Sequence, residues 1–400
     1  MAPPALAPFS GMDAVAAELT GLVRGGSRDA RVHAALGNIL IRESRYLDAV
    51  EAYRAAAECD GAFAEAHLAA SELAYVLRDQ PTSDLHRSQA LRIRRIFPDP
   101  LPVGERIAVL LLLRDAPYAV NTPIELLLDR RRFAIHKYYL GGVNATELPR
   151  FDVAFTAFGF ALDGAAEIAS AFLEKRVVPF INDPRRIGLL ARERLEETLA
   201  RVGGALVVQA DRIAQPQLNE EGLMLVRPAD THAGDGLALI DSADELAAHL
   251  ARFPANEYHV SPFYDYRSSD GYYRKYRVIF VEGIAHPYHL AISPRWMVHY
   301  QSAPMREYTW MRDEELRFLS EPQTAIPGWE SVMGEISEAV GLDYFGIDVA
   351  QLPDGRTLVF EADSGMLVHD EEPNDVFAAK RPFVARIREA LSIMVEKRRV

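Results

Sequence analysis

The chain of 400 residues is long enough for two or three domains with full cores, and 49% hydrophobic with 25% charged residues is the balance of a globular protein. A formal net charge of −13 argues against general binding to nucleic acid or to a membrane surface, because phosphates are repelled on average. The single cysteine, Cys59, excludes an intrachain disulfide and a cysteine metal cage, and it reads as a buried or half-buried residue of a helix. The first residues hold Pro3, Pro4 and Pro8, lack a basic start, and are interrupted by Asp13 and Glu18, unlike a signal peptide. The longest apolar run, residues 107–113, is too short to span a bilayer, so a cytoplasmic location is expected.

Residues up to about 97 are Ala-rich and helical in pattern. Between Arg28 and Gly61, the residues His33, Leu36, Gly37, Leu40, Ala49, Tyr53, Ala56 and Gly61 have the spacing of a helix-pair repeat whose small residues let two antiparallel helices approach. A second copy runs over 64–97, with Ala70 and Ser71 at the small positions and Pro81-Thr82-Ser83-Asp84 as the turn into its second helix. This stretch resembles tetratricopeptide repeats, and a plain helical bundle accommodates the same pattern. Pro98-Asp99-Pro100-Leu101-Pro102 punctuates the chain as a linker. Strand-like runs at 106–113, 133–140, 152–158 and 177–181 then alternate with helical segments at 124–129 and 165–174, which implies a mostly parallel sheet. A helix comes next over 185–202. Strands are expected at 205–209, 223–226, 237–240, 258–262, 276–281 and 285–291, with helices at 243–252, 329–340 and 382–397.

Four constellations carry chemistry. In the first, Asp354-Gly355 lies between two strand-like runs and signals a two-residue hairpin. Counting outward from that turn sets Asp348 opposite Glu361, with Asp363 on the same face two residues on. Three carboxylates on one face repel one another, and a hard cation such as Mg²⁺ removes the conflict. Solvation of that face, or pairing with Arg or Lys, are the alternatives. In the second, a strand ends at Arg227-Pro228 and leads into a loop with Gly234 and Gly236, where backbone N–H groups can approach phosphate. The third is Asn182-Asp183-Pro184 and a helix carrying Arg185, Arg186, Arg192 and Arg194. The fourth sets Arg274, Lys275 and Arg277 ahead of an apolar strand, with Lys275 and Arg277 on one face.

Taken in order, these pieces resemble the ATP-grasp superfamily over about residues 103–396, with the nearest likeness to ligases of the glutathione synthetase and ribosomal-protein glutamate ligase type. The resemblance implies an all-α helix-pair domain over 1–98, an α/β pre-domain over 103–182, and two α+β lobes that clamp ATP over 183–262 and 263–400. It implies that Arg194, or Arg192, and Arg227 replace the two phosphate-binding lysines of the family. His232, Gly234 and Gly236 form the loop over the phosphates. The adenine hinge is Val260-Ser261-Pro262-Phe263, without the usual glutamate. Lys275 and Arg277 meet the nucleotide or the transferred phosphate. Asp348, Glu361 and Asp363 hold Mg²⁺, for which Mn²⁺ can substitute, with Asp363 standing where the family usually has asparagine.

The activity implied by the resemblance is that of an ATP-dependent ligase, which joins a carboxylate to an amine or thiol through an acyl phosphate, on an amino-acid or peptide substrate. Arg295 is the candidate clamp for a substrate carboxylate, and His286, His289, His299 and His369 lie on or beyond the strands that carry the site. Two other classes fit the motifs: a nucleotide-binding regulator and a kinase acting on a hydroxyl. The helical N-terminal domain is expected to bind a peptide or protein, or to associate with itself.

Overall fold

The computed structural model describes residues 12–43, 45–116, 120–141, 148–159, 164–176, 178–218, 223–229, 234, 236–366 and 368–399. In chain order the helices and strands are α1 (Met12–Arg24), α2 (Ala30–Arg42), α3 (Tyr46–Cys59), α4 (Ala64–Val76), α5 (Gln80–Ile93), β1 (Ile96–Phe97), β2 (Ile107–Leu113), β3 (Phe133–Tyr139) and β4 (Val153–Thr156). Next come α6 (Ala165–Glu174), β5 (Phe180–Ile181), α7 (Pro184–Ile187), α8 (Arg192–Leu199), β6 (Ala205–Val207), β7 (Asp211–Ile213), β8 (Met224–Pro228) and β9 (Ala238–Ile240). The chain continues with α9 (Ala243–Arg252), β10 (Tyr258–Pro262), β11 (Tyr273–Val281), β12 (Ile284–Ser293), α10 (Thr309–Ser320), α11 (Trp329–Val340), β13 (Tyr344–Gln351), β14 (Thr357–Asp363) and α12 (Arg381–Arg398). The expected architecture is observed: a helical N-terminal region, an α/β part and two further sheets built largely from antiparallel strands. Among the described residues, no helix is long and apolar enough to cross a membrane.

The N-terminal helices pair as their small residues require. A Cβ on Gly37 of α2 would sit 2.9 Å from the Tyr53 ring of α3, so the two helices touch where glycine leaves room. Ala49, Tyr53 and Ala56 are buried in the same seam. We expect Gly37→Val to destabilise the protein by about 1–3 kcal/mol through overpacking, read as a lower thermal midpoint. The second helix pair differs from expectation at its start. Asp79 caps α5 by accepting from Thr82 N at 3.2 Å, so Pro81 lies in the first helical turn, not in a preceding loop.

The first sheet has the order β1-β3-β2-β4-β5, parallel except for the edge strand β1. Between β2 and β3 the expected helical segment is a single 3₁₀ turn, Ile124–Leu126. Helices α4 and α5 supply the missing cover: Ala64, Leu68, Ala90 and Leu91 join the core that contains Val109, Leu111, Phe133 and Ile135. A polar contact adds to this, since Lys137 of β3 bonds Glu72 of α4 at 3.2 Å and Glu125 at 2.7 Å. The second helix pair is thus also a layer of the α/β part.

The second sheet, β7-β10-β8-β9, is antiparallel. The third has the order β12-β11-β13-β14-β6. Its last strand, β6, pairs parallel with β14 although it lies in the segment before the second sheet's strands. The expectations at 185–202 and 205–209 shorten in the structure: Gly188–Leu190 is a 3₁₀ turn between α7 and α8.

Candidate functional site

The site is built on β11, β12, β13 and β14. Register places His289, Arg277, Asp348 and Glu361 directly opposite one another in successive strands. Directly opposed side chains share a face, so these four form one row across the sheet. A β-bulge adjoins the row on each side, between Arg277 and Val278 against β12 and between Asp348 and Val349 against β14. Bulges re-aim side chains and are frequent beside functional sites.

The pairing of Asp348 with Glu361 is the one expected, but it arises differently. Leu352 N donates to Arg356 O at 2.9 Å, which closes a three-residue loop over 353–355 with Gly355 at φ +89°. This replaces the expected two-residue turn and shifts the register by one. The bulge at Phe360 shifts it back, so Val349 faces Val359 while Asp348 faces Glu361.

The carboxylates are held by the chain's own cations. Arg277 donates to both oxygens of Asp348, at 2.6 and 2.9 Å, and Lys275 Nζ lies 3.0 Å from the same carboxylate. Arg192 of α8 pairs with Glu361. Asp363 accepts from Gly365 N at 2.8 Å. Burial opposes ionisation of Asp348, yet Arg277 and Lys275 outweigh it and hold the carboxyl well below the usual carboxylate range. Glu361 is also lowered: burial raises it, and Arg192 more than compensates with help from Lys275 and Arg277. Asp363 moves the other way, raised by burial and by Glu361. The like-charge conflict expected to require a metal is therefore largely relieved from within. Among the described residues no group of three His, Cys, Asp or Glu is assembled to hold a metal ion. The oxygen donors still suit Mg²⁺, which ordinarily takes one or two carboxylates together with phosphate and water.

The second sheet carries a row of basic residues. Arg212, His259 and Arg227 are directly opposed across β7, β10 and β8. His259 lies 3.6 Å from Glu193 and is lowered by burial, with Arg192, Arg227 and Arg212 contributing. His299 links the two sheets electrostatically: burial lowers it, followed by Lys275, while Glu361 and Asp348 oppose and Arg227 adds. Gly234 touches His299. A Cβ on Gly234 would lie 2.5 Å from His299 Nε2, and Gly234 has φ +76°, so glycine is required there twice over. Gly236, at φ +66°, likewise lies against Pro228. His232 lies outside the described residues.

The other expected residues distribute unevenly. Arg194 is exposed, because on α8 it points away from Arg192; Arg192 is the arginine brought to the carboxylates. Arg295 is exposed in the turn after β12 and is not joined to the row. Arg185 pairs with Asp183, and Arg186 donates to the carbonyls of Ala339 and Val340 at the end of α11, so neither faces the site. Pro262 ends β10, and Phe263 meets Trp296 edge-on at 5.9 Å between the two sheets. The Asn182-Asp183-Pro184 turn is present: buried Asn182, at φ +61°, exchanges hydrogen bonds with the backbone of Tyr344, and Asp183 caps α7.

A buried network behind the row is not legible in the sequence. Lys380 Nζ lies 3.0 Å from Glu315 and 3.3 Å from Glu371, and donates to Tyr300 OH at 2.7 Å. Tyr300 OH donates to Glu315 at 3.1 Å, and its ring stacks on His289 at 4.5 Å. His289 is held well below its ordinary value by burial and then by Arg277 and Lys380, so it is neutral. His369 N donates to Tyr288 OH at 2.7 Å, which ties the segment after β14 to β12.

No protein-family model and no curated protein matches the sequence. Solved structures do resemble the fold. D-alanyl-alanine synthetase A from Vibrio cholerae is 11% identical, aligned over 73% of this chain and 98% of its own, with a TM-score of 0.48. The D-alanine-D-alanine ligase from Coxiella burnetii is 10% identical, over 73% and 96%, with a TM-score of 0.46. A RimK domain ATP-grasp protein from Sphaerobacter thermophilus is 15% identical, over 72% and 98%, with a TM-score of 0.40.

Proposed function

We propose that the chain is an ATP-grasp enzyme, an ATP-dependent ligase that activates a carboxylate as its acyl phosphate and passes the acyl group to an amine. The observation that carries this reading is the meeting of two rows. Lys275, Asp348 and Glu361 of one sheet and Arg227 of the other all act on His299, and Arg192 acts on both Glu361 and His259. Adjacent carboxylates and guanidinium groups suit a Mg-triphosphate, whose transfer depends mainly on positioning and charge neutralisation.

In this reading Arg192 and Arg227 hold phosphate oxygens, and Arg277 neutralises charge on the transferred group. Phe263 and the backbone of β10 take the adenine. Glu361 and Asp363, with Asp348 beside Glu361, would hold Mg²⁺, which would supply charge neutralisation for the phosphates. The Gly234 segment against His299 excludes water from the acyl phosphate. A screen of amino-acid and peptide pairs tests this. Phosphate release is expected only with a carboxylate and an amine together. Release that needs a hydroxyl compound and no amine indicates a kinase; nucleotide binding without release under any pair indicates a regulator.

A further inference from the structure

The helices α3 and α5 flank a groove of about 600 Å³ that lies apart from the row of carboxylates. Its floor is a pair of histidines. His67 Nδ1 and His86 Nδ1 are 2.9 Å apart, and both rings are buried. One proton must lie between the two nitrogens. Whichever ring donates keeps a bare Nε2, a hydrogen-bond acceptor beside the groove. Burial lowers both imidazoles, which keeps the pair in its neutral form.

The rims supply the rest of the chemistry. Leu85 and Ile93 are 54% and 40% exposed, two helical turns apart on one face of α5. Arg54 from α3 and Arg92 from α5 line the same groove, with Glu58 beside them. Two arginines against one glutamate line the groove, and Arg54 also pairs with Glu51 at 3.0 Å on the helix surface. The opposite sides of this helix pair are committed, because Ala64, Leu68, Ala90 and Leu91 cover the parallel sheet.

We infer that this groove docks a peptide segment of another protein, one that carries spaced carboxylates beside leucine-like anchors. The carboxylates pair with Arg54 and Arg92, and the anchors cover Leu85 and Ile93. Glu58 disfavours an unbroken acidic run, so the carboxylates must be separated. This inference does not depend on the ATP reading.

The test is fluorescence anisotropy of the full chain with a labelled Glu/Leu peptide of about a dozen residues, with its Lys/Leu counterpart as control. The Glu/Leu peptide should bind saturably and lose affinity as salt rises. The double variant R54E/R92E and the single variant L85D, all at exposed positions, should each weaken it at least about tenfold with an unchanged circular dichroism melt. Equal binding of the Lys/Leu peptide, undiminished binding by these variants, or no binding of the Glu/Leu peptide would overturn the proposal. So would a wild-type dimer in sedimentation velocity that L85D converts to monomers, since the groove would then be a self-interface.

Discussion

Glu361→Ala should abolish the magnesium dependence of ATP binding and weaken ATP affinity by on the order of 100-fold, as truncating one partner of a desolvated charge pair costs about 2–5 kcal/mol. Two effects add. The variant loses a carboxylate proposed to hold the ion, and it frees Arg192, which pairs with Glu361 in the structure. The second effect is controlled by Arg192→Ala in the same background. Calorimetric titration with and without magnesium measures both. Unchanged nucleotide affinity with an intact magnesium response would sink the assignment of this row as the metal site.

Asp348→Asn is expected to produce the largest loss of stability. Asp348 is fully buried and its carboxylate is shared by Arg277 and Lys275. Removing one partner of a buried pair strands the remaining charge and costs about 3–5 kcal/mol. That is a large part of the total stability of a typical domain, about 5–15 kcal/mol. The pH dependence has a definite sign. The folded carboxyl is depressed below its ordinary value of 3.8, so the protein binds fewer protons there when folded than when unfolded. The stabilisation is therefore present in full above that ordinary value and is lost as pH falls toward the depressed one. Urea titrations across the acid range should show the variant's deficit constant from neutral pH to about pH 5 and shrinking below about pH 4. A deficit under about 1 kcal/mol at neutral pH would mean that the pair contributes little.

Short-range features were legible because they depend on neighbours in sequence. Asp183 caps its helix by accepting a backbone N–H two residues on, at the turn that the sequence marks. The Asn182 turn, the helix pairs and the strand order along the chain belong to the same class. The hairpin was legible for a less secure reason. The loop is one residue longer than Asp354-Gly355 suggests, and the bulge at Phe360 restores the pairing of Asp348 with Glu361.

Helix α10 has no clear signature in the sequence because Glu315 occupies a buried position where helical periodicity calls for an apolar residue. Its partner, Lys380, is 65 residues further along the chain. Nothing local marks either residue as buried. Arg192 and Arg194 were separable only once the orientation of α8 over Glu361 was known, since residues two apart on a helix face different ways.

By itself the sequence determined most of the helices and strands and the clustering of Asp348, Glu361 and Asp363 on one sheet face. Those depend on periodicity, capping and hairpin geometry, which act over a few residues. The tertiary structure decided which cations meet those carboxylates, and that α4 and α5 serve as cover for the parallel sheet. Such contacts are set by how distant elements cross, and a charge or an apolar face carries no local sign of the partner it will find.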